Sequence, residues 1–298
     1  MKVRIGIGLG TRTLAAEPEW FTAFVDLLEQ RGVDSLWLSE RLGGTAPDPL
    51  VALAVAAGRT RRLKLGTSVL VVPGRNPVVL AKELATLDRL SGGRLLPAVG
   101  LGVPDPAEHR AFGVDRSARA GLFDEAVPLM RRLWTEDDVH HDGAHFRLFG
   151  VTVRPRPVQQ QVDLWLGGTA PSELRRTGRL GDGWLPSFTV PDEVAAGWAV
   201  VNRVAAEHGR AIDSEHLGVL VAYARGDVPD GVAAAVAARR PGLDPRDVVP
   251  AGIAALRAQI ERFIDVGASK FVVVPVADPP DWAAELDELA ATVLPLQT

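Results

Sequence analysis

The chain has 298 residues, 47% of them hydrophobic, which is enough to bury a large core within one α/β barrel. It has no cysteine, which excludes disulfides, thiolate metal sites and cysteine nucleophiles, and we expect a cytoplasmic protein. A net charge of −4 with mixed signs argues against nucleic-acid binding, and we expect neither a signal peptide nor a membrane span of ~20 apolar residues.

The chain begins with an alternation of strand and helix patterns. Residues 3–9 and 33–38 are short apolar runs that predict strands. Between them, apolar residues at helical spacing follow Pro18 and stop at Gly32, which predicts a helix. A second helix is predicted over residues 50–58.

Residues 65–102 contain the clearest strand–helix–strand pattern. A β-branched apolar run over 65–72 is broken at 73–77, and a helical pattern then extends to the stop signal Ser91-Gly92-Gly93. Residues 95–100 form a second apolar run. Strands this apolar are typical of a parallel sheet covered on both faces, and small residues in or after them leave the backbone open to a flat ligand.

The second half of the chain continues the alternation with two interruptions. We expect a hairpin or irregular insertion near residues 140–162 and a small helical or mobile insertion near residues 226–250. The predicted helices cover residues 115–134, 171–179, 192–208, 252–266 and a last helix from Trp282. The predicted strands cover residues 163–166, 183–186, 217–222 and 270–274.

Strict alternation of strands and helices predicts a parallel sheet with right-handed crossovers. Eight repeats in a chain of this length favour a closed (β/α)8 TIM barrel over an open sheet. We expect residues 1–298 to form one such α/β domain with the two insertions. The chemistry of these barrels lies on the loops at the carboxyl ends of the strands, so those loops hold the candidate residues.

Glu40 is the strongest titratable candidate on these loops. It directly follows the second predicted strand and is expected to face the mouth of the barrel. A carboxylate there would serve as a general acid or base if burial raised its pKa. The alternative is a structural salt bridge to Arg41 or Arg12.

Gly167-Gly168-Thr169 is the best generic ligand loop. It connects the fifth strand to a helix that begins near Pro171. Free N–H groups and the helix dipole would bind an anion there, most simply a phosphate. A tight turn without a ligand is the alternative.

Other motifs of known chemistry are weak in this sequence. His140, His141 and His145 lie on a glycine-rich hairpin without carboxylates at fixed spacing, so we expect no metal site. A nucleophile elbow is missing, which argues against a serine hydrolase. The glycines after the first strand lack the context of a dinucleotide fingerprint.

An ordered series of short motifs extends over nearly the whole chain. The motifs are Leu65-Gly66-Thr67, Pro73, Arg75, Pro77, Leu80-Ala81-Lys82, Leu90-Ser91-Gly92-Gly93-Arg94, Gly113-Val114-Asp115, Arg154-Pro155-Arg156-Pro157, Leu164-Trp165-Leu166-Gly167-Gly168 and Gly181-Asp182-Gly183-Trp184. In this order they resemble the bacterial luciferase-like superfamily of flavin and deazaflavin oxidoreductases.

This resemblance implies a usually dimeric barrel that binds FMN or the deazaflavin coenzyme F420. Several F420-dependent members have a non-prolyl cis peptide and a bulge behind the ring, where Ser68-Val69 stands here. The implied cofactor contacts are Ser39, Ser68, Val69 and Gly100 near the ring, Gly167, Gly168 and Thr169 at the phosphate, and Leu180, Gly181 and Asp182 near the cofactor tail.

Two departures from the F420-dependent dehydrogenases bear on mechanism. Those enzymes place an Asp-His pair where Ser39-Glu40 stands, and an acidic residue where Val103 stands. The leading hypothesis is hydride transfer between F420 and an unidentified small organic substrate, with Glu40 handling the proton. An FMN-dependent two-component monooxygenase is the alternative, and a non-catalytic flavin-binding protein is a lesser one.

Overall fold

Strands and helices alternate along the chain in a computed structural model that describes residues 1–11 and 17–298. The strands are β1 Arg4–Gly8, β2 Ser35–Leu38, β3 Lys64–Val71, β4 Leu95–Gly100, β5 Val139–Asp142, β6 Arg147–Val151, β7 Trp165–Leu166, β8 Gly183–Trp184, β9 Gly218–Tyr223 and β10 Lys270–Pro275. The α-helices are α1 Pro18–Gln30, α2 Pro49–Arg59, α3 Pro77–Ser91, α4 Pro106–Ala111, α5 Arg119–Thr135, α6 Pro171–Leu180, α7 Pro191–Glu207, α8 Asp230–Arg239, α9 Pro245–Val248, α10 Ile253–Asp265 and α11 Trp282–Thr292.

Eight of these strands form one parallel sheet in the order β8-β7-β4-β3-β2-β1-β10-β9. Single bridges from Trp184 to Leu217 and from Ser187 to Leu220 join the two edges, so the sheet nearly closes into a barrel. The predicted (β/α)8 architecture is therefore confirmed. β7 and β8 have two residues each, and the other barrel strands have four to eight.

Large aromatic side chains fill the interior of the barrel. Trp37 is fully buried, and its Nε1 donates a hydrogen bond to Ser35 Oγ at 2.8 Å. A Cβ on Gly6 would lie 2.7 Å from that nitrogen, so a side chain at Gly6 would displace the indole. Losing the packing of such a buried tryptophan costs about 3–5 kcal/mol. The absence of a side chain at Gly6 therefore supports the core.

Two helices that follow strands β2 and β3 begin at side-chain caps. The side chain of Asp48 accepts hydrogen bonds from the first-turn N–H groups of Leu50 and Val51, and Asn76 does the same for α3. Each such cap stabilises the protein by about 1 kcal/mol. α3 ends at Gly92, whose φ of 72° suits glycine.

The segment near residues 140–162 forms an antiparallel hairpin of β5 and β6 before an irregular stretch. Glu125 on α5 fixes the hairpin, because its carboxylate accepts hydrogen bonds from the backbone of His145 and Phe146 and lies 2.9 Å from His141 Nε2. The side chain of His141 therefore has a structural partner.

The segment near residues 226–250 folds into α8 and α9. Val236, Val248 and Val249 of this segment pack with residues at or just after the ends of β9 and β10 in a cluster separate from the main core, which we call the insertion cluster. Its members are Ala222, Ala224, Val236, Val248, Val249 and Val276.

One predicted helix begins later than expected. The helix predicted over residues 115–134 is α5, which begins at Arg119, and the chain forms α4 before it. Asp105 caps α4 through the N–H of Ala107, and Pro106 occupies its first turn. Arg12 lies outside the described residues. Among the described helices, none is long and apolar enough to cross a membrane.

Candidate active site

A cavity of about 460 Å³ lies at the carboxyl ends of the barrel strands. We call it the mouth cavity. The fold brings together here most of the residues that were predicted to hold a cofactor. Those that line it are Ser39, Glu40, Ser68, Val69, Gly100, Gly167 and Gly168.

The carboxyl end of β3 is irregular where it faces this cavity. The peptide bond between Ser68 and Val69 is cis, as the resemblance predicts, and the register between β3 and β4 shifts between Ser68 and Leu70. Ser39 Oγ donates a hydrogen bond to the Ser68 carbonyl at 2.9 Å. The bulge is thus tied to the end of β2.

Two glycines make room for the bulged side chain. A Cβ on Gly100 would lie 2.9 Å from Val69 Cγ2, which is closer than real side chains approach. A Cβ on Gly167 would lie 3.7 Å from Val69 Cγ1, which is ordinary contact. Val69 therefore packs between the ends of β4 and β7, and its position depends on the missing side chain of Gly100.

Glu40 is buried beneath the bulge with both carboxylate oxygens bonded. Its Oε2 accepts a hydrogen bond from Val71 N at 2.7 Å, and its Oε1 pairs with the guanidinium of Arg75. Burial raises the pKa of the Glu40 carboxyl above its ordinary value, although the Val71 N–H and Arg75 lower it. A salt bridge is present, as the structural alternative anticipated, but its partner is Arg75.

Arg75 binds the backbone of the same residue, Val71, that Glu40 binds. Its Nε donates to the Val71 carbonyl at 3.0 Å, so Glu40 and Arg75 together hold both polar groups of the Val71 backbone. Arg41, the partner considered from the sequence, instead pairs with Asp105 and Glu108. The role of Glu40 as an acid or base stays a prediction.

The loop predicted to bind a phosphate has mixed charge. The N–H groups of Gly168 and Thr169 have no hydrogen-bond partner within the described part of the chain. The Glu173 carboxylate lies against Gly168 and accepts a hydrogen bond from Ala170 N at 3.0 Å. An anion bound here would meet two free N–H groups and one carboxylate.

Arg176 adds a cation to the same end of the mouth cavity. Its Nε donates to Asp124 Oδ1 at 2.6 Å, and its guanidinium lies 5.9 Å from the centre of the Phe123 ring. The ion pair neutralises much of this charge. Thr169 itself is exposed and does not line the cavity.

Leu180, Gly181 and Asp182 lie at the other end of the barrel. Asp182 precedes β8, accepts a hydrogen bond from Leu164 N at 3.0 Å and pairs with Arg131 and Arg210. These contacts are at the amino ends of β7 and β8. The helix α6 connects the carboxyl end of β7 to the amino end of β8, so its last residues lie far from the mouth cavity. These three residues therefore do not line the mouth cavity, and their contact with a cofactor tail stays a prediction.

The loop after β4 is held from outside the cavity. Arg119 Nη1 donates to the carbonyls of Leu101, Gly102 and Val103 at 3.2–3.3 Å, and His109 Nε2 lies 2.9 Å from the Val103 carbonyl. Val103 lines the cavity where the related dehydrogenases place an acidic residue. His109 is engaged with the loop backbone rather than with the cavity.

No clear sequence motif marks the far wall of the mouth cavity. Leu185, Ser187 and Leu220 line it, and they follow or lie within the short second-half strands. The one available signal is Ser187, which directly follows the predicted strand at 183–186 and so stands at a strand end.

Comparisons with known proteins agree with this architecture. The luciferase-like monooxygenase family profile matches residues 3–269. An F420-dependent glucose-6-phosphate dehydrogenase from Kineococcus radiotolerans is 36% identical over 167 residues, covering 53% of this chain and 49% of that protein. A 4-hydroxyprotoasukamycin monooxygenase from Streptomyces nodosus subsp. asukaensis is 34% identical, covering 62% and 53%.

The chain thus spans about half the length of the curated relatives it matches. Among solved structures, the monooxygenase RslO1 from Streptomyces bottropensis superposes with a TM-score of 0.80 at 25% identity, covering 98% of this chain and 99% of that one. The fold, the bulge in β3 and the family profile agree, and the chain belongs to the luciferase-like monooxygenase family.

Proposed function

We propose that the protein is an oxidoreductase that binds coenzyme F420 in the mouth cavity and moves a hydride between the deazaflavin and a small organic substrate. The observation that carries this proposal is the placement of the β3 bulge and the Gly167-Gly168 loop on one cavity. The 36% identity to an F420-dependent dehydrogenase supports the choice of cofactor.

The residues of the cavity fit such a cofactor. Ser68 and Val69 would support the ring, and Gly100 and Gly167 have no side chains to fill the space beside it. The free N–H groups of the Gly168 loop would bind a phosphate. The deazaflavin supplies the hydride chemistry, and the protein supplies orientation and a dry site.

Glu40 has a positioning role in this proposal, beside the proton-transfer role predicted from the sequence. Its carboxylate and Arg75 fix the Val71 backbone, and the Glu40 N–H donates to the Val69 carbonyl at 3.3 Å. These bonds hold the bulge that would contact the ring. A proton on Glu40 would have to leave through an oxygen that already has a partner.

The direct test is a fluorescence titration of the purified protein with oxidised F420 and, separately, with FMN. Micromolar binding of F420 and weaker binding of FMN are expected, and a screen of hydride donors and acceptors then follows. Binding of neither cofactor would contradict the proposal.

A variant of the cavity wall sharpens this test. In Gly167→Ala the added methyl group makes only ordinary contacts with the protein, at 3.4 Å or more, but enters the mouth cavity. We expect at least about tenfold weaker F420 binding with unchanged thermal stability. Gly226→Ala, whose methyl group meets nothing within 4 Å, is the matched control.

An FMN-dependent monooxygenase is the second candidate, favoured by the 34% identity to 4-hydroxyprotoasukamycin monooxygenase. It predicts preference for FMN in the titration and oxygen consumption with reduced FMN. A non-catalytic flavin-binding protein would bind a cofactor tightly and turn over nothing in a broad substrate panel.

A further inference from the structure

A second, larger cavity adjoins the mouth cavity. It measures about 910 Å³ and lies between the ends of β9 and β10 and the inserted helix α8. We call it the α8 cavity. The two cavities share Ser39, Ser68, Ser187 and Leu220, so a molecule in one reaches the other.

The walls of the α8 cavity are mainly apolar. The side chains that form them include Phe188, Leu220, Val232, Val236, Val274 and Val276. The hydroxyl groups of the cavity are concentrated where it meets the mouth cavity. A sugar would leave most of its hydroxyls without partners against these walls, which is costly, whereas an apolar chain would be well accommodated.

Two cations lie at the carboxyl-terminal end of α8. Arg240 is committed to the protein, because it donates to the Phe188 carbonyl at 2.7 Å and pairs with Glu193. The side chain of Arg239 lines the cavity and makes no hydrogen bond or ion pair to any residue that the structure describes. Asp278 also lines the cavity and has interactions of its own.

Arg239 lies on the same face of α8 as apolar residues of the cavity wall. Val232, Val236 and Arg239 follow one another at helical spacing on the face of α8 that covers the cavity. A basic residue in the last turn also interacts favourably with the helix dipole. If this were the only role of Arg239, its substitution would leave ligand binding unchanged. The two roles therefore differ in a measurable way.

We propose that the α8 cavity binds the substrate, and that the substrate is an elongated apolar molecule with one carboxylate or phosphate group that pairs with Arg239. This assignment rests on the proposed function, because it places the reacting carbon at the junction of the two cavities. The apolar body packs on α8, β9 and β10, and the hydroxyls of Ser39, Ser68 and Ser187 face the polar reacting end.

Binding of simple probes tests this without turnover. Decanoate, decyl phosphate, decanol and glucose 6-phosphate are titrated calorimetrically into the wild-type protein, Arg239→Gln, Arg239→Lys and the control Arg246→Gln. Arg246 is an exposed arginine of the same insertion that does not line the cavity. F420 is titrated into the same four proteins.

We expect decanoate or decyl phosphate to bind, about tenfold weaker binding in Arg239→Gln, and recovery in Arg239→Lys. The better of the two anions identifies the acidic group. Decanol and F420 should bind all four proteins alike. Equal binding of the anions by wild type and Arg239→Gln, or tighter binding of glucose 6-phosphate than of decanoate, would overturn the assignment, whereas loss of F420 binding everywhere would overturn only the proposed function.

Discussion

Glu40 and Arg75 are separated by 35 positions in the chain, yet they hold one peptide group between them. Glu40 is buried and Arg75 is half-buried, so removal of Arg75 leaves the Glu40 carboxylate without a cation, whereas Arg75 without Glu40 still lies 3.7 Å from Asp48. Both residues bind the Val71 backbone, which directly follows the bulge. We therefore expect them to act together in holding the bulge in place.

We predict that Glu40→Gln and Arg75→Met each weaken F420 binding by about tenfold, and that the double variant is no weaker than either single variant. Fluorescence titration of the three proteins measures this coupling. If Glu40 acts only as a proton carrier, Glu40→Gln will lower kcat with unchanged affinity, and Arg75→Met will leave kcat unchanged.

Glu173 gives the second prediction at this scale. Its carboxylate lies at the loop that would bind the cofactor phosphate, so it repels an anion there. Glu173→Gln keeps an acceptor for the Ala170 N–H and removes the charge. F420 should then bind about threefold tighter or more. Glu207→Gln, a substitution on an exposed part of α7, should change nothing, and unchanged affinity in Glu173→Gln would place the phosphate elsewhere.

Four neighbouring strands of the barrel begin at one charged cluster. Arg4, Lys64 and Lys270 are the first residues of β1, β3 and β10, and Asp34 directly precedes β2. Asp34 lies 3.1 Å from Lys270 Nζ and 3.2 Å from Lys64 Nζ. Both lysines lie at the end of the barrel opposite the mouth cavity, because they are the first residues of their strands.

Asp34 therefore controls the stability of these strands. Burial raises its pKa, but Lys270 and Lys64 outweigh this effect, so the pKa lies below its ordinary value. Its stabilising effect is complete above the unfolded-state pKa and is lost as the pH falls through the folded-state pKa. Asp34→Asn should lower the free energy of unfolding at pH 7 by about 3–5 kcal/mol, and by less as the pH falls.

Urea unfolding between pH 3 and pH 7 measures this dependence. Asp26→Asn removes an exposed pair with Arg59 and serves as the control, with an expected loss below about 1 kcal/mol. Equal losses in the two variants would show that the cluster is not specially stabilising.

Much of this element-scale organisation follows from the sequence. Apolar runs predicted the eight barrel strands, and the glycines that follow two of them line the mouth cavity. Residues 180–182 match a family motif but lie away from the mouth cavity, because the ten residues of α6 return the chain to the amino ends of the strands. The partnership of Glu40 with Arg75 depends on a bulge whose geometry no periodicity encodes.

At the scale of the whole molecule, one face exposes large apolar side chains. Val51, Val55, Val79 and Leu90 are exposed on α2 and α3, and most soluble proteins avoid such clusters unless something covers them. The homodimer implied by the resemblance is a prediction, and we place its interface on this face.

Light scattering after gel filtration tests that placement. We predict a dimer for the wild-type protein and a monomer for Val51→Lys combined with Val79→Lys, because charges on both helices would have to be buried together. Phe149→Lys, on the exposed hairpin strand β6, should remain a dimer. A dimeric double-lysine variant would exclude this face.

The insertion cluster has a consequence for how such a protein changes over generations. Its side chains pack among themselves and on the rims of β9 and β10, apart from the core that supports the β3 bulge. With the substrate in the α8 cavity, as proposed, mutations in residues 226–250 would alter the substrate range and leave the core that supports the bulge unchanged. Transplanting this segment between relatives is accordingly the most economical route to a catalyst with a different substrate range.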